Sequence, residues 1–228
     1  MTFEEFSKDV VLPIEEICRQ FYRENRDRLK IKNEELAVKN YISLCMSTVK
    51  LSRIKGFRAM SIRELSQESG LSLGALYYYV SSKDEIVWIV HELGHYLIMN
   101  LLLNRISETE DAEEKLRVAI RTHIFLSEII PDWFYFYFME TKNLEIENRI
   151  VPMESEVWTE KLFVDILTQG SEQGIFRTDT IAHTGASIKA LVQDWYLKRW
   201  RFVQRNVSVE EYADFVISLI ESYVMLKK

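Results

Sequence analysis

The stretch Gly56-Phe57-Arg58-Ala59-Met60-Ser61-Ile62-Arg63-Glu64-Leu65-Ser66-Gln67-Glu68-Ser69-Gly70-Leu71-Ser72-Leu73-Gly74-Ala75-Leu76-Tyr77-Tyr78-Tyr79-Val80-Ser81-Ser82-Lys83 decides the fold of this chain. Gly56 ends a preceding helix, as glycine does just past a helix C-terminus. Ser61 is placed to cap the next helix, and Glu64, three positions on, completes a capping box. That short helix turns Ile62 and Leu65 inward and stops at Gly70. Leu71 packs, and Ser72 caps a second short helix that runs to about Tyr79. Ser82 caps the one after, with Glu85 three residues later. Two short helices joined by a tight turn at Ser69-Gly70-Leu71 form a helix-turn-helix, whose second helix enters the DNA major groove.

The side chains suit that role. The helix N-termini at Ser61 and Ser72 present free backbone N–H groups and the positive end of the dipole, which favour a phosphate. Leu73, Gly74 and Ala75 are small or uncharged and allow close approach to base edges, with Leu73 or Ala75 against thymine methyls. Tyr77, Tyr78 and Tyr79 cannot all fit one buried helix face. Some of their hydroxyls must face out, where they can donate to phosphates. Lys83 stands at a helix start, a poor place for a cation unless an anion meets it.

Working outward, residues from about 35 to 55 read as one helix, with Leu36, Tyr41, Leu44, Cys45, Thr48, Val49 and Ser52 along its inner side. Before it, Phe3, Phe6, Val10, Ile14, Ile17 and Phe21 recur at helical spacing, with a break expected at Pro13. The segment then turns basic: Arg23, Arg26, Arg28, Lys30, Lys32. This N-terminal extension reads either as an extra helix packed on the body or as a basic arm on the DNA backbone or in a minor groove. After Lys83 the pattern is of long helices, at 83–106, 111–129, 132–148, 153–173, 179–204 and 208–226. Nothing reads as a strand pair. The expectation is an all-α chain of about ten helices, divided as 1–35 (helical extension), 36–83 (helix-turn-helix) and 84–228 (helical body).

The net charge of -6 over 228 residues hides an asymmetry. Residues 36–83 hold seven Lys/Arg and two Asp/Glu, whereas residues 86–228 hold fifteen Lys/Arg and twenty-two Asp/Glu. A basic module on an acidic body fits a nucleic-acid binder. The only cysteines, Cys18 and Cys45, lie in apolar-periodic stretches and read as buried, reduced thiols. The start Met1-Thr2-Phe3-Glu4-Glu5 is acidic where a secretory signal is basic. No apolar run approaches the ~18 residues of a membrane span. The expected compartment is the cytoplasm, without membrane contact.

The stretch 56–83 is similar to the DNA-binding domain of the tetracycline-repressor (TetR) family. The Gly56-Phe57 turn, Ser61-Ile62-Arg63, Gly70-Leu71-Ser72, Gly74-Ala75-Leu76-Tyr77-Tyr78 and Ser82-Lys83-Asp84-Glu85 carry the resemblance. It implies a three-helix head that binds DNA, followed by a helical ligand-binding and dimerisation domain. It implies DNA contacts at Ser61, Ser72, Leu73, Gly74, Ala75, Tyr77, Tyr78, Tyr79 and Lys83. Three departures stand out. Met60 replaces a usual Thr, Tyr79-Val80 a common His-Phe, and Leu73 a frequent Lys or Arg, which weakens any bidentate guanine contact there.

One motif competes. His91-Glu92-Leu93-Gly94-His95 matches H-E-x-x-H, which on a helix can bind zinc with the glutamate as general base. No third histidine follows at the extended spacing, and the default is ordinary core or pocket histidines, with no cofactor, no metal and no enzyme activity. The body shows no phosphate-binding glycine loop and no nucleophile elbow. Its densest aromatic run is Pro131-Asp132-Trp133-Phe134-Tyr135-Phe136-Tyr137-Phe138-Met139, either core filler or pocket lining. The residues assigned to an effector pocket are Trp88, Glu92, His95, Met99, Phe125, Trp133, Phe136, Met139, Glu140, Trp158 and Phe163. They suit a small hydrophobic effector such as an acyl-CoA, an aromatic or a lipophilic compound. Glu92 or Glu140 inside the cavity would favour a cation. By the same resemblance the last two long helices form a homodimer interface, with Ala186, Ala190, Leu191, Trp195, Phe215 and Leu219 facing the partner. The alternative for Trp195 is the pocket. A twofold dimer implies a palindromic double-stranded operator, and the resemblance implies a role as repressor, relieved by the effector.

Overall fold

A computed structural model describes residues 1–27, 29–140, 150–177 and 179–226, with side chains from 156 onward in the third segment. Among these residues every regular element is a helix, twelve in all. In chain order they are α1 (Phe3–Asp9), α2 (Ile14–Glu24), α3 (Glu34–Lys55), α4 (Ile62–Ser69), α5 (Leu73–Tyr79), α6 (Lys83–Ile106), α7 (Ala112–Ile129), α8 (Pro131–Met139), α9 (Ile150–Glu172), α10 (Ile181–Leu197), α11 (Arg199–Gln204) and α12 (Val209–Val224). The expected break at Pro13 separates α1 from α2, because proline lacks the N–H that a continuous helix needs. The far half of the helix expected at 132–148 lies outside the described residues. The helix expected over 179–204 is divided at Lys198. That turn lets Phe202 fold back to 5.0 Å from the Trp195 ring and 4.6 Å from Tyr212.

The chain forms two compact units. The first, here called the head, comprises 11–98 and 132–153; the second, the body, comprises 1–10, 99–131 and 154–228. The head is built around α3. Asn33 caps it, accepting from Leu36 N at 3.1 Å, and Gly56 ends it at φ 81°, a backbone angle that side-chain-bearing residues resist. The core side of α2 (Ile17, Cys18, Phe21, Tyr22) packs on that of α3 (Val38, Tyr41, Leu44, Cys45). Burying each large side chain contributes roughly 1.5–3 kcal/mol. Cys18 and Cys45 are free and buried, and burial pushes the Cys18 thiol up to about 12.

In the body, α7 lies between α10 and α12 and carries Leu116, Ala119, Ile120 and Ile124 into the core. Helix α1 joins this unit. Phe3 and Phe6 meet Phe125 edge-to-face at 5.3 and 5.4 Å, and Phe3 N donates to Glu210 at 2.7 Å. The extension is therefore two packed helices, the first in the body and the second in the head.

One sequence expectation needs correction. Helix α6 is long and apolar enough, by length and composition, to cross a membrane. More than half of that apolar window is buried within the protein, as in a core helix.

Candidate nucleic-acid interface and effector residues

The helix-turn-helix is set by local chemistry. Both halves of the capping box form: Glu64 N donates to Ser61 Oγ at 3.2 Å, and Ser61 N to Glu64 at 2.8 Å. Lys55 pairs with the same carboxylate, which holds Glu64 down at about 2. Gly70 takes the left-handed conformation at φ 69°, turning the chain between α4 and α5. Ser66 Oγ then donates to Leu71 O at 2.5 Å, and Ser43 Oγ to Ser69 O at 2.7 Å, tying the turn to α4 and α3. Ser72 accepts from Ala75 N at 3.1 Å and starts α5.

Helix α5 has two distinct faces. Leu76 and Tyr79 point inward, while Ser72, Leu73, Gly74, Tyr77 and Tyr78 are exposed, with Ala75 between. Tyr77 is 60% and Tyr78 51% accessible, far more than large aromatic side chains retain in a core. A Cβ placed on Gly74 would meet nothing within 4 Å, so packing inside the chain does not demand glycine there. Ser61 is exposed at the head of α4.

Three of the assigned DNA residues have inward or structural roles. Tyr79 is only 6% exposed; its hydroxyl accepts from Asn40 at 2.5 Å and donates to Leu36 O at 3.4 Å. That corrects its assignment as an outward-facing phosphate donor, since its ring packs inward and its hydroxyl proton is directed to Leu36 O. Tyr78 Oη donates to Lys30 O at 2.8 Å, so its one proton is already engaged. Lys83 donates to Phe57 O at 3.4 Å and Arg58 O at 3.0 Å, and lies 5.5 Å from the Phe57 ring centre. It caps the turn after α3, an alternative explanation for a cation at a helix start. Met60, in place of the family's Thr, is a buried core residue.

The effector assignments fall in two places. Trp88, Glu92, His95, Trp133, Phe136, Met139 and Glu140 belong to the head, and Met99, Phe125, Trp158 and Phe163 to the body. Trp88 leans on Phe21, 5.5 Å centre to centre. Trp133 packs on Gly94, whose Cβ position would lie 3.0 Å from the indole. Phe125 is covered by the two phenylalanines of α1. Glu140 is corrected: it is buried and accepts from Ser52 Oγ at 3.0 Å and Phe57 N at 3.1 Å, pinning its segment to α3. Its carboxylate serves the fold of the head.

Within the His91-Glu92-Leu93-Gly94-His95 motif, the first histidine lies inside the core of the head. His91 is buried against Tyr137 and Phe136, with ring centres 4.5 and 5.7 Å away, and burial alone pushes it down to about 3. Among the described residues no three His, Cys, Asp or Glu side chains are grouped to hold a metal ion.

Of the dimer assignments, Trp195 is corrected. It is fully buried within its own chain, stacked 5.2 Å from Tyr212, with Nε1 donating to Glu128 at 3.1 Å. Ala190, Phe215 and Leu219 are exposed, and Ala186 and Leu191 half-buried. Phe215, Leu219 and Tyr223 follow one another at i, i+4 and i+8, so α12 carries an exposed apolar stripe beside the buried one of Val216, Ile217 and Ile220. Sequence reading missed Lys189. It lies in the inward register of α10 with Gly185, Ile188, Val192 and Trp195, and burial lowers it to about 8 against the opposing pull of Glu156 and Glu160. That register was visible in the sequence, and an interior lysine could have been flagged from it.

The comparisons agree with this architecture. Residues 47–87 match the family of bacterial regulatory proteins, tetR family, and residues 109–221 match the tetracyclin repressor-like C-terminal domain. The HTH-type transcriptional regulator HbdR of Aromatoleum sp. (strain CIB) is 20% identical over 181 residues, covering 79% of each chain. The crystal structure of AibR with isovaleryl coenzyme A and operator DNA has a TM-score of 0.70 at 19% identity, over 79% of this chain and 97% of that one. FadR from Bacillus subtilis with stearoyl-CoA has a TM-score of 0.69 at 18% identity, over 80% and 98%. A two-faced recognition helix, the motif that sets it, and matches to both halves of one family lead to a single conclusion: this chain belongs to the tetR family of DNA-binding transcriptional regulators.

Proposed function

We propose that the chain is a cytoplasmic repressor that binds a palindromic operator as a homodimer and releases it when a small hydrophobic effector, an acyl-CoA, occupies the protein. The observation that carries the DNA reading is the outer face of α5. It offers Leu73, Gly74, Tyr77 and Tyr78 to solvent, and Gly74 has no packing reason to be glycine. Base edges approached this closely are read by Leu73 and Ala75 on thymine methyls, while Ser61, Ser72 and Tyr77 take phosphates. The stripe Phe215–Leu219–Tyr223 supports a twofold interface, and a twofold dimer sets two recognition helices roughly 34–36 Å apart. The acyl-CoA reading draws on the ligands named for AibR and FadR, which share this fold. Helix α6 contributes residues to both units, so a tilt of α6 on effector binding is the proposed link between ligand and DNA. The two affinities are then reciprocally coupled.

The test is binding of the full chain to duplex DNA from upstream of its own gene, followed by fluorescence anisotropy over a salt series. The expected result is saturable binding to a palindrome that weakens by orders of magnitude between about 50 and 200 mM salt. Ser72→Ala, which removes the cap of α5, should weaken it several-fold. Isovaleryl-CoA or stearoyl-CoA should lower the affinity further. No saturable binding at low salt overturns the operator reading, and DNA affinity indifferent to both thioesters overturns the acyl-CoA reading.

A further inference from the structure

We propose that Leu29–Lys32 is a second DNA-contacting element, a fixed basic strap whose Lys30 and Lys32 ammonium groups take backbone phosphates beside the recognition helix. This rests on the reading of α5 as the DNA-facing helix and extends the interface to a segment outside the matched family domain, which starts at residue 47.

Two bonds hold the strap. Tyr22 Oη, on buried α2, donates to Ile31 O at 2.8 Å. Tyr78 Oη, on the exposed face of α5, donates to Lys30 O at 2.8 Å. Between them the side chains alternate. Leu29 and Ile31 are buried in the head, and Lys30 and Lys32 are exposed. The Tyr78 bond therefore sets Lys30 directly beside the last turn of the recognition helix.

The charge distribution points the same way. Many cations elsewhere in the head are matched, Arg19 to Glu15 and Glu35, Arg23 to Glu34, Lys50 to Glu68, Arg53 to Asp132 and Lys55 to Glu64, whereas the exposed Arg26, Lys39 and Arg63 stand outside the ion pairs of the described residues, as Lys30 and Lys32 do. Lys30 and Lys32 make no ion pair or side-chain hydrogen bond among the described residues. Two exposed, uncompensated ammonium groups next to a helix that enters a groove lie where the flanking phosphates run. Because the strap is already pinned at both carbonyls, little ordering opposes the contact. Tyr78 acts as a positioning residue for it. Arg23, placed in the basic arm by sequence, is instead held by Glu34.

The test compares the full-length chain with Lys30→Gln/Lys32→Gln, using the upstream duplex and an unrelated duplex of equal length over the same salt series. Lys161→Gln, an exposed lysine of the body, is the control. A phosphate contact lowers the slope of log K against log salt by about 1 per lysine. Each half of the proposed dimer loses two such contacts, so the double variant should bind both duplexes more weakly, by a factor about a hundredfold larger at 50 than at 200 mM salt. Unchanged affinity and slope overturn the strap. A loss confined to the upstream duplex with the slope intact also overturns it, because that is base readout. A wild-type chain that binds neither duplex overturns the DNA-facing reading of α5 itself, a failure distinct from the first two.

Discussion

His91 stands where the head cannot accept a charge. Wrapped by Phe136 and Tyr137, it titrates at about 3, against 6.5 in an unfolded chain. Between those values the unfolded state takes up a proton that the folded state refuses, so stability rises with pH through the window and is lost as pH falls below about 6.5. The contribution at about pH 5 is roughly 2 kcal/mol. His91→Leu should therefore lose less stability than the wild type between about pH 7.5 and 5, read from denaturant midpoints. Identical pH dependence in the two proteins would remove His91 as a source of acid lability. Burial pushes His123 in the same direction in the body, so the variant removes part of the effect. The same residue shows what a short motif conveys. His91-Glu92-Leu93-Gly94-His95 states a spacing but not which side of α6 is covered, and the covering rings come from residues 136 and 137.

At the scale of elements, two glycines on helices separate packing from function. Gly185 on α10 faces α9 so closely that a Cβ would fall 2.5 Å from Val164 Cγ2 and 3.4 Å from Val164 N. Gly74 on α5 faces open space. Alanine gains up to about 1 kcal/mol over glycine in a helix, whereas overpacking costs about 1–3 kcal/mol. Gly185→Ala should then lower the thermal midpoint. Gly74→Ala should hold or raise it while weakening operator binding, because the added methyl stands between α5 and the base edges. A Gly74→Ala protein that binds DNA as the wild type does would take α5 off the groove. The helix boundaries around these residues were legible because their causes are local: Ser61 with Glu64, Gly70, Ser72 with Ala75, Gly56 after α3. What was not legible depends on residues far apart in the chain. Tyr78 reaches back 48 positions to Lys30, and Glu140 reaches back 88 to Ser52. The turn at Lys198 lacks proline and glycine, and its cause is the aromatic cluster that Phe202 joins.

For the whole molecule, the proposed homodimer raises the question of which face would join two copies. An apolar pattern at the end of the chain fits both a core and an interface, so Trp195 and Phe215 looked alike in the sequence. The structure separates them: Trp195 is closed off by Tyr212 and Phe202, and Phe215, Leu219 and Tyr223 remain 57%, 43% and 44% exposed along one side of α12. A helix with one stripe buried in its own unit and a second apolar stripe in water is half of a bundle that a second copy can complete. Placing two carboxylates on that stripe sets like charges against each other across a twofold axis, where each residue meets its own surroundings. On the proposed homodimer, the wild type should sediment as a dimer and Phe215→Glu/Leu219→Glu as a monomer at the same concentration, with unchanged helical content because both positions face solvent in the single chain. Operator binding should fall with it. Two tethered heads gain about 10²–10⁴-fold over one, so the variant should lose at least about 100-fold on the palindrome and little on a single half-site. A double variant that remains dimeric would move the interface away from α12. A monomeric variant with full affinity for the palindrome would show that one head suffices, and the spacing of two recognition helices would no longer determine how the operator is read.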